Sequence, residues 1–521
     1  MESREEYFDV ISEELFDQKD YQDQCILKNE ELDYIFSFLH GLDLAGCMCV
    51  CRRFYDFASH NTLWKKCYHK EFLNLPIKYT SFYENYKYWH QFSYLKVQFQ
   101  TGETLDQIPY ITRLCSAHGT VNKLPNAIFK LNTLNDLTII LNKFTEIPKE
   151  LSQLTNLTRL CFGKHHFTEI PKELYNLTNL RVLNLCNCKF TNIDISGFKS
   201  LTELDLSQNL LNEFPYGIEK LTNLEILQLN NNKITEIPER IKYLKSLKSL
   251  WLSHNKIQTI HYKISKLINL QKLYLEYNNL QVFDFSILYN LTELNLQYNQ
   301  IHTIVISHRT YALQFIDLSH NQLTCLPKGI QMFQDLEKLI LNNNYLTTLP
   351  DEFCHLKTLQ YLSLFQNYID ELPYEIRMMT RLNSLNLGKN KLTSIPEGLC
   401  YLLNLEYLYL GANYIEYIPK QISKLVNLNQ LILSCNQIKK LPVEFFKLNV
   451  KTIDLKYNKI KVIPQEISQL YYIVSFELSY NKIESFPQDL TNLTNLQFLN
   501  IIQYNPYTGS INVLPECKIH K

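Results

Sequence analysis

The sequence predicts an α/β chain: a solenoid of strand-and-return units that curves into a horseshoe with a parallel sheet on its concave side, preceded by a small all-α module. Three observations predict it. Apolar residues recur as Leu-x-x-Leu-x-Leu with a period of 23 residues, as from Leu224, Leu227 and Leu229 to Leu247, Leu250 and Leu252. An asparagine follows each run at a fixed distance, as at Asn232 and Asn255. Ahead of Ile111 the period gives way to helical apolar spacing. A unit this short cannot bury its own apolar face, so it folds by stacking on its neighbours.

The elements follow in order. Residues 1–24 form an N-terminal tail that starts polar and acid-rich (Met1-Glu2-Ser3-Arg4-Glu5-Glu6), unlike a secretory signal. Residues 25–68 form the all-α module. There Leu32, Ile35, Phe36 and Leu39 make one apolar stripe at i, i+3, i+4 and i+7. Gly41 stops that helix and Asp43 caps the next, which runs to about Cys49. A third segment covers Cys51 to Ala58, followed by Leu63-Trp64. Three short helices bury little surface between themselves, so such a module completes its core against a partner.

Leu27, Glu30, Ile35-Phe36-Ser37-Phe38-Leu39, Asp43-Leu44, Val50-Cys51-Arg52-Arg53-Phe54 and Leu63-Trp64 together resemble the F-box, in the order and at the spacing of that family. The resemblance implies docking to a Skp-type adaptor and, through it, to a cullin–RING ubiquitin ligase. It assigns adaptor contacts to Leu27, Ile35, Phe36, Leu39, Leu44, Val50 and Trp64. The chain departs from the family in one place: Lys28 stands after Leu27 where the family has proline.

Residues 69–108 read as a helical, aromatic-rich bridge. Phe82, Tyr86 and Trp89 fit one helix face, and flexible linkers are poor in aromatics. Residues 109–521 are the repeats with a C-terminal cap. Alternate leucines of each strand point inward and stack from turn to turn. The asparagines at 142, 209, 232, 255, 278, 299, 321, 344, 367, 390, 413, 436, 458 and 481 form a buried ladder that satisfies backbone groups of adjacent turns. Proline after the last apolar position (Pro238, Pro350, Pro396) starts the convex return as a helical or extended segment. Units that are a residue or two short predict tighter returns at Asp284-Phe285-Ser286 and Ser307-His308. His165 takes the ladder position in one early unit, and Gly119 takes it in a first cryptic unit from Ile111 to Pro125. From Tyr504-Asn505-Pro506 onward the pattern is expected to end and the chain to close the core. These features identify a leucine-rich-repeat solenoid. Its Leu-Pro-x-x-Ile-x-x-Leu-x-Asn-Leu form resembles the Ras-group repeats of small-GTPase-binding scaffolds.

Composition removes several function classes. Lys and Arg total 52 and so do Asp and Glu, which leaves no electrostatic case for nucleic acid or an anionic membrane. No apolar run approaches the roughly 18 residues a membrane span needs. The 14 cysteines lack any C-x-x-C pair and read as reduced core residues, with Cys188 at a position that accepts a small hydrogen-bonding side chain. Asn156, Asn176, Asn290 and Asn492 begin glycosylation sequons because the repeat itself spells Asn-Leu-Thr. Gly41-x-x-x-x-Gly46 lacks the Lys and Ser/Thr of a phosphate loop, and adjacent His165 and His166 face opposite ways on an extended chain. No catalytic residue, metal ligand or cofactor is expected. The repeats run almost to the end of this sequence, so no separate catalytic domain is expected after them.

The candidate substrate surface is the variable part of the concave sheet in units seven to ten: Trp251, Ser253, His254, Tyr274, Tyr277, Tyr298, Phe315 and His320. Exposed aromatics supply large contact area at low rotamer cost, as at protein-binding hot spots. The expected function is a substrate-recognition subunit of a Skp–cullin–F-box ubiquitin ligase, with a protein substrate on the repeats. The alternative is a non-catalytic scaffold that binds a Ras-like GTPase. A receptor ectodomain is disfavoured by the missing signal. The expected location is intracellular, cytoplasmic or nuclear. Abundant Asn, Lys, Ile and Tyr suit an AT-rich genome such as a protist or a large DNA virus, and for a virus the location is the host cell.

Overall fold

The computed structural model describes residue 78 and residues 106–116, 124–140, 144–288, 290–307, 311–501 and 503–520. The module at 25–68, with Leu27, Ile35, Phe36, Leu39, Leu44, Val50 and Trp64, lies outside the described residues, as does the bridge apart from Lys78 and residues 106–108. Asn142, Gly119 and His308 also fall outside them. The chain divides into two compact units, Met1–His166 with Pro171–Leu180, and Phe167–Ile170 with Arg181–Lys521.

In the first unit, strands Arg113–Ser116, Asp136–Ile140 and Arg159–Gly163 pair in parallel, with Leu114 opposite Leu137 and Leu137 opposite Leu160. The cryptic first repeat is therefore a real coil: its strand joins the sheet, and Pro125 leads into a 3-10 turn at Asn126–Lys130. His165 is 1% exposed and its Nε2–H donates to the carbonyl of Ile139 at 3.1 Å. It thus replaces one of the bonds a ladder asparagine makes.

In the second unit a continuous parallel sheet runs from Val182–Asn184 to Lys518–His520, most strands being three residues long. Register is exact in the apolar row: Leu227 pairs with Leu250, Leu250 with Leu273, Leu273 with Leu294, and the row continues through Leu339, Leu385 and Leu431. Each of these is at most 1% exposed. Burying a leucine side chain contributes roughly 1.5–3 kcal/mol, so repetition of this row is the main stabilising term.

The ladder asparagines behave alike from coil to coil. Asn255 donates from Nδ2 to the carbonyls of Leu229 (2.9 Å) and Leu252 (3.0 Å), and its Oδ1 accepts the Ile234 N–H at 3.0 Å. The residue before each asparagine lies in the left-handed region, with φ of 55° at His254, 57° at Tyr277, 54° at Tyr298 and 55° at His320. That conformation costs a non-glycine residue roughly 1–2 kcal/mol. The three asparagine bonds offset it and hold the turn. In the Cys188 coil, Oδ1 of the next asparagine, Asn209, accepts both the Cys188 and the Phe190 N–H, at 3.1 and 3.0 Å.

The returns are 3-10 turns, narrower than an α-helix. Pro238 precedes Glu239–Tyr243, Pro350 precedes Asp351–His355 and Pro396 precedes Glu397–Tyr401. Proline fixes its own φ and its carbonyl accepts the first turn bond, as from Ile241 N–H to Pro238 at 3.2 Å. In the short unit the turn Phe285–Ile287 is three residues where most others have five, a length it shares with Ile218–Lys220 in a full-length unit. After it, the Ser307 N–H donates to the Tyr311 hydroxyl at 3.0 Å, and the Tyr311 ring packs beside Phe285 and Phe333.

Two features depart from expectation. A second, exposed asparagine ladder sits before the strands: Asn404 donates to Thr380 O, Asn427 to Leu403 O and Asn495 to Tyr471 O, each at 2.8 Å. The ladder also does not stop at Asn481. Asn505 Nδ2 donates to Leu478 O at 2.9 Å and its Oδ1 accepts the Ile483 N–H at 3.0 Å, so the pattern continues beyond Tyr504. The following Pro506 and the lengthened spacing from Asn481 disguise this coil in the sequence. Strand Lys518–His520 then pairs in parallel with Phe498–Asn500.

Candidate functional site

The candidate aromatic residues separate into two rows. Trp251 and Tyr274 end strands Ser249–Trp251 and Lys272–Tyr274 and sit opposite each other in register. Their rings stack at 4.1 Å. Tyr274 is fixed further by its hydroxyl, which donates to Glu293 Oε1 at 2.7 Å, while Lys272 Nζ meets Glu293 Oε2 at 2.9 Å. Burial works against the charge on Glu293, but the Tyr274 and Lys272 hydrogen bonds outweigh it and lower its pKa. Burial first, and then the adjacent Glu293, raise that of Tyr274.

Phe315 starts its strand, Phe315–Asp317, and so lies in a different register row, opposite Glu293 and Lys338. It is not part of the Trp251–Tyr274 stack. The ammonium of Lys338 lies 5.4 Å from its ring centroid and 5.0 Å from that of Tyr361.

His254, Tyr277, Tyr298 and His320 are not strand residues, contrary to the sequence expectation. They occupy the left-handed turn between strand and ladder asparagine. Ser253, grouped with them in the sequence, is buried. The four rings stack continuously, with centroids 4.2, 4.2 and 3.9 Å apart and planes within about 10°. The cause is geometric: neighbouring strands lie about 4.8 Å apart, so identical backbone turns place flat side chains face to face. Each turn is held by its own N–H, as from Tyr277 to Gln297 O and from Tyr298 to Ser319 O, both at 3.0 Å. At the end of the stack the Asn343 amide donates to His320 Nε2 at 3.1 Å.

Further along the same row Tyr457, Tyr480 and Tyr504 form a second stack at 4.1 and 4.2 Å. Between the stacks the left-handed positions carry Asn343, Gln366, Lys389, Ala412 and Cys435. A depression opens there, lined by His320, Lys389 and Ala412 and walled by Tyr345, Tyr368, Lys391 and Tyr414. The three tyrosines follow ladder asparagines and are 49%, 43% and 53% exposed. Sequence reasoning missed them and the second stack. The signal was present: aligning the chain on its asparagines puts each of these tyrosines immediately before or after one.

Among the described residues no group of three or more His, Cys, Asp or Glu side chains is placed to hold a metal ion, and no helix is long and apolar enough to cross a membrane. His165 is buried and His166 exposed, both after the strand rather than on it. Burial pushes the Cys354 and Cys400 thiols up to about 12, so neither is poised as a nucleophile. What the surface offers is aromatic area and hydrogen-bonding groups.

Comparison with known proteins gives two family matches. The leucine rich repeat pattern matches residues 178–234, 222–280, 312–369, 380–438, 426–474 and 449–505, more than half of the chain. An F-box-like pattern matches residues 29–70. Among curated proteins the chain is similar to lumican: 39% identical over 72 residues of the Bos taurus protein and 42% over 69 of the Gallus gallus protein, in each case 13% of this chain and 20% of that one. The chain thus spans about a fifth of the length of these relatives. Among solved structures, a leucine-rich-repeat protein of Leptospira interrogans superposes with a TM-score of 0.63 at 29% identity, covering 77% of this chain and 99% of that one. The receptor kinase HAESA of Arabidopsis, in complex with the peptide hormone IDA and the co-receptor SERK1, does so with a TM-score of 0.56 at 26% identity, covering 73% and 67%.

Proposed function

The chain belongs to the leucine-rich-repeat family and carries an F-box-like domain ahead of its repeats, and from that premise we propose that it is the substrate-recognition subunit of a Skp–cullin–F-box ubiquitin ligase. The observation that carries the reading is the coincidence of the F-box-like match at residues 29–70 with the cluster of apolar positions from Leu27 to Trp64. Ile35, Phe36, Leu39, Leu44 and Trp64 dock the Skp-type adaptor, together with Leu27 and Val50. The adaptor brings the cullin–RING ligase. The repeats hold the protein substrate against the aromatic rows, with Trp251, Tyr274, Tyr277 and Tyr298 as anchors and His254 and Phe315 beside them. Stacked rings suit this task because their rotamers are already ordered, so little entropy is lost on binding.

The chain performs no chemistry of its own in this scheme and needs no cofactor. It lends specificity, and ubiquitin transfer belongs to its partners. It works inside the cell, in cytoplasm or nucleus, where that machinery resides. Support for polypeptide binding by such a sheet comes from HAESA, which is similar in fold and is in complex with a peptide hormone. The test is affinity purification of the full chain from cells, with the adaptor and cullin measured before and after deletion of residues 25–68. Retention of a nucleotide-dependent GTPase with no adaptor would instead favour the scaffold reading suggested by the Ras-group-like form of the repeats.

A further inference from the structure

From the depression between the two aromatic stacks we infer that the repeats recognise an acidic, extended segment of the partner polypeptide, whose carboxylates meet Lys389 and Lys391. The inference rests on reading the repeats as the substrate-binding part and adds the chemistry of what they bind.

The lining is selective in charge. It contains Lys389, Lys391, three tyrosines and His320; its other members are amides and Ala412, and no carboxylate faces it. Some lysines elsewhere in the same unit hold carboxylates: Lys248 to Glu225 at 2.7 Å, Lys272 to Glu293 at 2.9 Å and Lys439 to Glu416 at 2.7 Å. Lys389 and Lys391 make no ion pair among the described residues. Their ammonium groups lie over rings instead, 5.1 Å from the Phe365 centroid and 4.6 Å from the Tyr368 centroid. A ring face orients an ammonium without neutralising it, so both charges remain available to a ligand.

The size of the surface sets the length of the occupant. Tyr345, Tyr368, Lys391 and Tyr414 lie on successive coils, a span of about 14 Å at the usual strand spacing. An extended chain covers that distance with about four residues. Compact lysine charges beside tyrosine hydroxyls and amide donors suit single carboxylates.

The test is a titration of the full chain, without adaptor, against fluorescein-labelled octapeptides. One alternates glutamate and leucine, a second alternates lysine and leucine, and a third carries phosphoserine in place of glutamate. The glutamate peptide should bind and weaken as salt is raised. K389M/K391M should weaken it at least tenfold, K389R/K391R should restore it, and K248M should leave it unchanged. Circular dichroism confirms that each variant is folded. Equal binding of the lysine peptide, full affinity in K389M/K391M, an equal loss in K248M, or binding of the phosphoserine peptide alone would each overturn the inference. Adaptor co-purification is read separately, so failure of the ligase reading and failure of this one are distinguishable.

Discussion

Tyr277 and Tyr298 stack with ring centroids 4.2 Å apart and planes 9° apart, although each is a non-glycine residue held in the left-handed backbone region. The fold tolerates that backbone strain at nearly every coil because the following asparagine needs the turn. Placing tyrosine there converts a structural necessity into an ordered exposed surface.

Replacing Tyr298 by glycine therefore separates binding from stability. Glycine adopts a positive φ without steric cost, which offsets the extra freedom it gives the unfolded chain. The denaturation midpoint should stay close to that of the parent, while substrate captured by the full chain falls at least tenfold, as for a hot-spot anchor. A large drop in midpoint with unchanged capture would assign the stack a purely structural role.

The ladder predicts the opposite partition. Asn367 donates to Leu341 O at 2.9 Å and Leu364 O at 3.1 Å, and accepts the Leu346 N–H at 3.1 Å. Asn367→Ala orphans these buried backbone groups, at a cost of about 1–3 kcal/mol for the unsatisfied polar group. Urea denaturation should show this loss, and proteolysis should cut near the altered coil first, because solenoid stability is a sum of local terms. An unchanged urea midpoint would mean that the ladder bonds are dispensable.

His165 predicts a dependence on pH. Burial lowers its pKa, an effect only partly countered by its bond to Ile139 and reinforced by neighbouring His166. The unfolded chain takes up a proton on this ring near the ordinary histidine value of about 6.5, and the folded chain does so only at lower pH. In that interval the unfolded state binds more protons, so stability is full above about pH 6.5 and falls as the pH drops toward the folded value. Thermal unfolding of the first unit followed between pH 7.5 and 5 should show the decline, and His165→Asn should remove it. An identical decline in His165→Asn would place its origin elsewhere.

The repeat architecture was legible because its physics is periodic: Leu227, Leu250 and Leu273 recur at one interval and stack in one row. His165 could be assigned to the ladder on spacing alone, and the short return at Phe285–Ile287 could be placed the same way. Asn505 was hidden by an irregular interval and a following proline. The aromatic surface was legible only in composition. Period-2 reasoning put His254, Tyr277, Tyr298 and His320 on strands, whereas the left-handed turn carries them on a row of their own, separate from Trp251 and Tyr274. Phe315 shares neither row, because register rather than proximity in sequence decides which side chains meet. The tyrosines at 345, 368 and 414 were passed over because each stands beyond its asparagine, outside the strand pattern.

Residues 25–68 are proposed to connect this repeat array to a ubiquitin ligase. The most direct measurement is co-purification of a Skp-type adaptor and cullin with the full chain, with the 25–68 deletion, and with Leu39→Asp. Both proteins should be recovered with the full chain and lost on deletion. Leu39→Asp should weaken adaptor binding by about 2–4 kcal/mol, the range for a buried interface anchor. Equal recovery of adaptor and cullin with all three forms would mean that residues 25–68 make no such connection.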